Sequence, residues 1–215
     1  STAEVAESGK LLENIFRSVN IALVNELKMV FDKMGIDVWE VIEAARSKPF
    51  GYMPFYPGPG LGGHCIPLDP FYLSWKAAEH GTWARFIELA GEINTSMPHW
   101  VVDKTVKGLN EQGKSVKGAK VLVLGLSYKA DIDDDRESPS FELIELLEQL
   151  GATVSYCDPF IPEARPVRKH NIARRSVPCT PEEFARYDAV VVSTAHTAFK
   201  DPDLYLQVSL VVDTR

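Results

Sequence analysis

The chain has 215 residues, of which 45% are hydrophobic and 25% charged, as is ordinary for a soluble globular protein. A formal net charge of −7 argues against non-specific nucleic-acid binding, and no apolar run reaches the roughly 18 residues that span a membrane. Three cysteines, Cys65, Cys157 and Cys179, lie far apart and form no C-x-x-C pair. Structural zinc and a disulfide framework are therefore disfavoured, and we expect a cytoplasmic protein with free thiols.

The first part of the chain has a strongly helical pattern. From Thr2 to Lys33 the apolar residues recur at three- and four-residue steps, which predicts one long helix that ends at Gly35. Asp37 opens a second helix with a pattern that resembles a capping box. The wide apolar face of the long helix is either the core of an all-helical unit or also a contact with a second subunit, and both can hold.

Three more helical patterns follow a stretch rich in proline and glycine: Pro70–His80, Thr82–Asn94 and Met97–Gln112. In the last of these, Ser96 is the expected N-cap and Pro98 lies in the first turn. The polar stretch Lys114–Gly118 is a plausible domain boundary. We therefore predict an all-helical domain over residues 1–115.

After this boundary the hydrophobic period changes. Lys120–Leu126 is a nearly continuous apolar run, typical of a buried parallel strand, and an amphipathic helix capped by Ser138 and Pro139 follows it. Further patterns predict strands at Thr153–Cys157, Ala189–Ser193 and Leu210–Asp213 and a short helix near Pro181–Tyr187. This alternation predicts a doubly wound, Rossmann-like α/β domain with a parallel sheet over residues 116–215.

The stretch YPGPGLGGHCIPLD contains the G-x-G-x-x-G pattern of dinucleotide-binding loops, at Gly58, Gly60 and Gly63. A loop of that kind follows a buried strand and opens a helix, whereas the residues before Gly58 are not strand-like. We therefore interpret the match as accidental with respect to NAD. The glycines can instead let backbone amides approach another ligand closely.

Cys65 follows these glycines and lies just before Pro67, which suits the first turn of a helix that continues through the pattern at Pro70–His80. A helix N-terminus stabilises a thiolate, and Asp69 would bring a carboxylate to the same face of that helix. Because a lone cysteine is more often structural, the residues alone leave a reactive and a structural Cys65 as even alternatives.

Two further sets of polar residues are candidates for chemistry. Lys10 and Asn14 share one face of the first helix, although a surface position is the favoured interpretation of Lys10. Tyr128 and Lys129 follow the first strand, and Arg136 precedes a helix N-terminus. Because ligands of open α/β sheets bind at the carboxyl ends of strands, this loop either holds a nucleotide diphosphate or is a charged, solvated loop.

Three segments together resemble the UDP-glucose/GDP-mannose dehydrogenase family, and most closely its branch acting on UDP-N-acetylhexosamines. They read ESGKLLENIFRSVNIALVNE, GPGLGGHCIPLDPFYLSWKA and GLSYKADIDDDRESPSFELIELLEQLGATVSYCDP. The most specific element is G-G-x-C-x-P-x-D, from Gly62 to Asp69. The resemblance implies a central helical domain and a C-terminal UDP-sugar-binding domain without the family's N-terminal NAD-binding domain. The helical pattern at the start of the chain agrees with a piece of a longer protein.

The resemblance also implies a chemistry, the oxidation of C6 of a UDP-sugar twice, with two NAD⁺, to the uronic acid. Cys65 would be the nucleophile that forms a thiohemiacetal and then a thioester. Lys10 and Asn14 would stabilise the alkoxide or relay its proton, and Asp69 would position or deprotonate the hydrolytic water. The loop that would cradle the sugar comprises Tyr56, Gly58, Gly60, Leu61 and Gly62.

In the second domain the resemblance implies that Tyr128 and Lys129 bind the uridine and the diphosphate, joined by Arg215. Arg136 matches a position that reaches the NAD cofactor. The family often supplies an arginine from a partner subunit at the position that Pro49 occupies here, with Arg46 nearby, so this contact is absent or made by a different residue.

The expected protein is therefore a homodimer or higher homo-oligomer through the first helix, with a UDP-sugar substrate and no activity without an NAD domain. A UDP-glucose 6-dehydrogenase and a non-catalytic nucleotide-sugar-binding and dimerisation module are the alternatives.

Overall fold

The computed structural model describes residues 2–215, and its contacts divide the chain into two units. The first unit comprises the chain up to Gly58 and His64–Ser96, and the second comprises Pro59–Gly63 and Met97–Arg215. Within the described residues, no helix combines the length and the apolar character that crossing a membrane requires.

The first unit is built on helix α1, Ala3–Met34, which is 32 residues long. Thr2 caps its N-terminus, and Gly35 ends it in the left-handed conformation with a φ of 70°. Helix α2, Val38–Arg46, begins after the N-cap Asp37, as the sequence predicts.

Two more helices follow, α3 at Asp69–Glu79 and α4 at Arg85–Glu111. The prediction of two helices meeting at Ser96 is wrong, because α4 is continuous and Pro98 lies inside it. A proline in a helix interior removes a hydrogen bond and costs about 3 kcal/mol. Met97 and Val101, each 1% exposed, lie on either side of the proline, and their burial offsets this loss.

The second unit contains a parallel sheet of β1 at Lys120–Leu124, β2 at Thr153–Cys157, β5 at Ala189–Val192 and β6 at Val211–Asp213. These strands lie side by side in the order β2-β1-β5-β6. A short antiparallel pair that the sequence did not predict, β3 at Glu163–Ala164 and β4 at Arg174–Arg175, lies between β2 and β5 in the chain. The fold class of a helical region followed by a parallel-sheet α/β domain is confirmed.

The connections place a ligand-binding edge at one end of this sheet. Helix α5, Pro139–Gln149, connects β1 to β2, and the short helix α6, Pro181–Phe184, precedes β5 on the other side of β1. The strand order therefore reverses between β1 and β5. The carboxyl ends of these two strands form the switch point at which open α/β sheets bind ligands.

The core of the second unit explains where the two units divide. The second half of α4 contributes Val101, Val102 and Leu109 to the cluster that also holds the fully buried Val121 of β1. This half of the helix packs against the sheet, so the second unit begins at Met97, whereas the sequence placed the boundary at the polar residues after α4.

Candidate functional site

Cys65 lies in the turn that precedes α3, and its side chain is exposed. Its carbonyl oxygen accepts hydrogen bonds from the N–H groups of Leu68, at 3.2 Å, and Asp69, at 2.8 Å. The turn thus leads directly into the helix. An accessible thiol beside a helix N-terminus is the environment in which reactive cysteines are found.

Asp69, the first residue of α3, is held by the buried side chain of Asn14. Asn14 Nδ2 donates to Asp69 Oδ2 at 2.8 Å, and Asn14 Oδ1 accepts from Arg17 at 2.6 Å. Asn14 is fully buried, so its amide fixes the position of the carboxylate relative to α1. The structure thus brings together two candidate residues that are 55 positions apart in the chain.

Lys10 lies one turn before Asn14 on α1, but its ammonium contacts a different group. It forms an ion pair with Glu13 at 2.8 Å, and its side chain is 58% exposed. The hydrogen bond from Lys10, aided by the charge of Arg17, lowers the pKa of Glu13. The structure therefore places Lys10 at the surface, which is the position its isolation in the sequence favoured.

The first end of the glycine loop is anchored by a chain of buried amides. The N–H of Gly58 donates to Asn25 Oδ1 at 2.9 Å, and Asn25 Nδ2 donates to Asn94 Oδ1 at 2.9 Å. Asn94 Nδ2 donates in turn to the carbonyl of Ser18 at 3.1 Å. Asn25 is 0% exposed and Asn94 3%, so this chain ties Gly58 to α1 and α4.

Tyr56, at the start of the loop, packs on α2. Its hydroxyl donates to Glu43 Oε1 at 2.9 Å, and its ring stacks on Trp39 with the centroids 5.9 Å apart. These contacts fix the ring while leaving it 42% exposed.

The other end of the loop belongs to the second unit and packs on Tyr128. A Cβ at Gly62 would lie 2.3 Å from Tyr128 Cβ, so only glycine fits there. Gly60 has a φ of 140°, and the half-buried Leu61 lies between these two glycines. Residues 49–63 contain neither strand nor helix, so the G-x-G-x-x-G match lacks the structure of a dinucleotide loop.

The loop after β1 presents the polar candidates of the second unit. The N–H of Tyr128 donates to the carbonyl of Asp134 at 3.0 Å, and Lys129 is exposed. Arg136 binds the carboxylate of Asp134, with the shortest contact at 2.6 Å. This hydrogen bond lowers the pKa of Asp134. Arg136 is therefore held within its own loop, at the N-terminal side of α5.

Arg215 lies beyond the end of β6, beside a cavity of about 590 Å³. Its Nε donates to the carbonyl of Ser193 at 2.7 Å. Burial lowers the pKa of Arg215 to about 10, which leaves the guanidinium cationic at neutral pH. The other lining residues include Val192, Phe199, Lys200 and Val211. The cavity combines apolar walls with the two cations Lys200 and Arg215 and the carboxylate of Asp213, which accepts the backbone N–H of Arg215. It has the size of a small-molecule site.

Two buried residues of the same sheet edge, Asp158 after β2 and His196 after β5, are not among the residues predicted from the sequence. Asp158 Oδ2 accepts from the N–H groups of Leu126, at 2.7 Å, and Ser127, at 3.0 Å, and lies 3.1 Å from His196 Nε2. Burial raises the pKa of Asp158, but the bonds from His196 and from backbone N–H groups outweigh it and lower the pKa to about 2. The signal that could have indicated Asp158 and His196 is that each follows a predicted parallel strand, where open α/β sheets bind ligands.

Comparisons with known proteins place both units in one family. The model for the UDP-glucose/GDP-mannose dehydrogenase family, central domain, matches residues 4–96, and the model for the UDP binding domain of that family matches residues 122–215. The chain is 38% identical to an NDP-N-acetyl-D-galactosaminuronic acid dehydrogenase of Ralstonia nicotianae, over 99% of this chain and 48% of that protein. It is 35% identical to a UDP-N-acetyl-D-glucosamine 6-dehydrogenase of Pseudomonas aeruginosa, over 94% and 46%.

A solved structure gives the same result. The UDP-D-ManNAc dehydrogenase of Pyrococcus horikoshii matches with a TM-score of 0.85 and 31% identity, over 100% of this chain and 49% of that one. The chain spans about half the length of the curated relatives it matches.

Proposed function

This chain belongs to the UDP-glucose/GDP-mannose dehydrogenase family, and we propose that it forms the central and UDP-binding parts of an NAD-dependent UDP-sugar 6-dehydrogenase. We propose a UDP-N-acetylhexosamine as the substrate, since the relatives are named for N-acetylated sugars. The observation that carries the proposal is the segment Gly62–Asp69. It presents an exposed Cys65 one turn ahead of Asp69, whose carboxylate is fixed by the buried Asn14.

The proposed chemistry uses Cys65 as a covalent catalyst. Its thiolate adds to the C6 aldehyde and gives a thiohemiacetal, and loss of a hydride from that carbon gives a thioester. Water then attacks the acyl carbon and releases the uronic acid and the free thiol. Asp69 positions this water or takes its proton, and Asn14 holds the carboxylate in place. A role for Lys10 at the alkoxide requires its ammonium to leave Glu13.

NAD⁺ supplies the hydride acceptor in this family, and within residues 2–215 the two candidate elements of a dinucleotide site do not fit that role. The loop Gly58–Gly63 follows no strand. Asp158, at the place where an acidic residue contacts a ribose in dinucleotide folds, is 3% exposed and occupied by internal hydrogen bonds. We therefore propose that NAD⁺ binds a part of the enzyme other than these residues, and that Arg136 reaches it after its guanidinium leaves Asp134. The chain alone then binds the UDP-sugar without turnover.

The second unit is the proposed nucleotide site. Tyr128 and the exposed Lys129 follow β1 at the switch point, and Arg215 lies beside the cavity at the ends of β5 and β6. Uridine needs an apolar wall and its diphosphate needs cations, and both are present here. The glycine loop from Tyr56 to Gly62 is the proposed contact with the sugar.

We also propose that the protein is a cytoplasmic homo-oligomer through α1. Leu12, Phe16 and Leu23 on this helix are 67%, 46% and 51% exposed, which is apolar surface of the kind that subunit contacts bury. Free thiols at its cysteines suit a reducing compartment. Sedimentation at micromolar concentration should give at least a dimer, and a stable monomer would contradict this part of the proposal.

Calorimetry with UDP tests the nucleotide site. Lys129→Ala should weaken UDP binding about tenfold or more, because it removes one charge-assisted contact to a phosphate. Lys107→Ala is the matched control, since this lysine is 68% exposed and lies on α4. Equal UDP affinity in the two variants would show that the site is misassigned.

A further inference from the structure

His196 is the buried centre of a hydrogen-bond network at the switch point. Its side chain is 0% exposed although it lies in the loop after β5. Nδ1 accepts the N–H of Asp131 at 2.9 Å, so this nitrogen carries no proton. The proton therefore lies on Nε2, which is 2.9 Å from Ser127 Oγ and 3.1 Å from Asp158 Oδ2. Both ring nitrogens are thus engaged, and the hydrogen bond that Nδ1 accepts fixes the tautomer.

These bonds hold the backbone on both sides of Tyr128 and Lys129. Ser127 comes immediately before the pair, and its Oγ donates to the carbonyl of Lys129 at 3.1 Å. Asp131, whose N–H is bound to the imidazole, comes two residues after Lys129. One ring therefore fixes the entrance and the exit of the segment that carries the proposed nucleotide contacts.

Asp158 supports the imidazole from the neighbouring strand. Its Oδ2 accepts the hydrogen bonds already described, and its Oδ1 accepts two more, from the N–H groups of Phe160 at 2.7 Å and Ile161 at 3.0 Å. The carboxylate is thus oriented by its own loop. In this orientation it presents an acceptor to His196 Nε2 and to the backbone at Ser127.

Contacts with residues outside this loop hold Asp131 in an unusual backbone conformation. Asp131 has a φ of 61°, in the left-handed region that residues with a Cβ rarely occupy. Its carboxylate accepts from the N–H of Thr197 at 2.8 Å and from its hydroxyl at 2.7 Å. The residues after β5 therefore hold Asp131 in this conformation through its N–H and its carboxylate.

We propose that His196, oriented by Asp158, is a positioning residue that fixes residues 127–131 so that Tyr128 and Lys129 meet the nucleotide diphosphate. This inference rests on the proposed UDP-sugar binding. His196 acts through the loop, because both of its ring nitrogens are bound within the protein. It also contributes to the wall of the cavity that Arg215 lines, so it joins the two places proposed for the nucleotide.

The test uses three substitutions of His196 that separate the two ring nitrogens. His196→Asn keeps an acceptor near the position of Nδ1 for Asp131, His196→Gln extends a donor towards Asp158, and His196→Ala keeps neither. We expect the dissociation constant for UDP, measured by calorimetry, to rise about tenfold or more in the alanine variant and less in the other two. Wild-type affinity in a folded alanine variant would overturn the proposal. Equal losses in all three variants would overturn it too, because the hydrogen bonds retained by asparagine and by glutamine would then not position the loop.

Two controls separate positioning from stability. Leu143→Ala removes a fully buried side chain of α5 and destabilises the core of the same unit. His99→Asn changes an exposed histidine on α4. Both should bind UDP within about twofold of the wild type at a temperature well below unfolding, since neither change touches the loop. A loss in Leu143→Ala equal to that in His196→Ala would assign the effect to stability and overturn the proposal.

Hydrogen exchange without UDP separates this proposal from the proposed function. The amides of Tyr128 and Asp131, which donate to the Asp134 carbonyl and to His196 Nδ1, should exchange slowly in the wild type and faster in His196→Ala, with His196→Asn restoring part of the protection at Asp131. If the wild type shows this protection but binds no UDP, the proposed function fails while His196 still fixes the loop. Unchanged exchange in His196→Ala would show that the imidazole does not fix the loop.

Discussion

Alanine at Gly125 tests whether the carboxyl ends of β1 and β5 are held in close contact. Gly125 and Gly113 both belong to the second unit and have φ values of 86° and 73°. Alanine at either position therefore carries the same backbone strain, about 1–2 kcal/mol. At Gly113 an added Cβ meets nothing within 4 Å, whereas at Gly125 it would lie 2.5 Å from Thr194 Cβ and 2.8 Å from the Thr194 carbonyl oxygen.

The clash at Gly125 involves backbone and cannot be relieved by a side-chain rotation. Overpacking of this kind adds about 1–3 kcal/mol, so we expect a loss of about 2–5 kcal/mol for Gly125→Ala and about 1–2 kcal/mol for Gly113→Ala. Urea unfolding followed by circular dichroism measures both losses, with unchanged m-values as the sign that the same unit unfolds. Equal losses in the two variants would refute the close approach of the two loops at the switch point.

Three further outcomes are expected. Asn25→Ala leaves two buried partners unpaired, the N–H of Gly58 and Oδ1 of Asn94, and should lower the free energy of unfolding by about 2–4 kcal/mol. Asn20→Ala, on the same helix, should lower it by less than about 0.5 kcal/mol. Similar losses in the two variants, measured by urea unfolding, would contradict the anchoring of Gly58 by Asn25. The folded pKa of Asp158, about 2, lies below its unfolded value, so its carboxylate contributes about 2 kcal/mol above about pH 4 and loses this contribution as the pH falls towards 2. Stability measured across this range should fall less in Asp158→Asn, and an unchanged fall would disprove that contribution. Iodoacetamide should modify the exposed Cys65 faster than the buried Cys157. A UDP-sugar should slow the reaction at Cys65 only, as measured by mass spectrometry. Modification of Cys65 at the same rate with and without the UDP-sugar would contradict a sugar site beside this thiol.

Local chemistry made many element boundaries predictable. Gly35 ends α1 because glycine adopts the left-handed conformation at no steric cost, and Asp37 starts α2 because its side chain caps the helix. The apolar run of β1 predicted a buried strand equally well. Pro98 misled the prediction because its local effect is to break a helix, while the burial on either side of it depends on packing that the sequence does not display.

The residues of the candidate site also differ in whether the sequence could predict them. Cys65 and Asp69 could be proposed from the sequence because both lie in the short segment Gly62–Asp69, and Asn14 because its helix carries a second stretch that resembles the family. The network around His196 could not be chosen in this way, since its ring joins Ser127 at a separation of 69 positions and Asp158 at 38. Their positions after predicted strands could place Asp158 and His196 at the edge of the sheet, but only the strand order shows that they meet there.

The stoichiometry of NADH formation tests the central claim most directly. The proposed enzyme, comprising this chain and an NAD-binding part, would be supplied with NAD⁺ and a panel of UDP-sugars, and NADH would be counted per mole of sugar consumed. We expect two NADH for each UDP-N-acetylhexosamine oxidised, and no uronic acid from the Cys65→Ser variant. One NADH per sugar, or unchanged acid formation in that variant, would contradict covalent oxidation at Cys65.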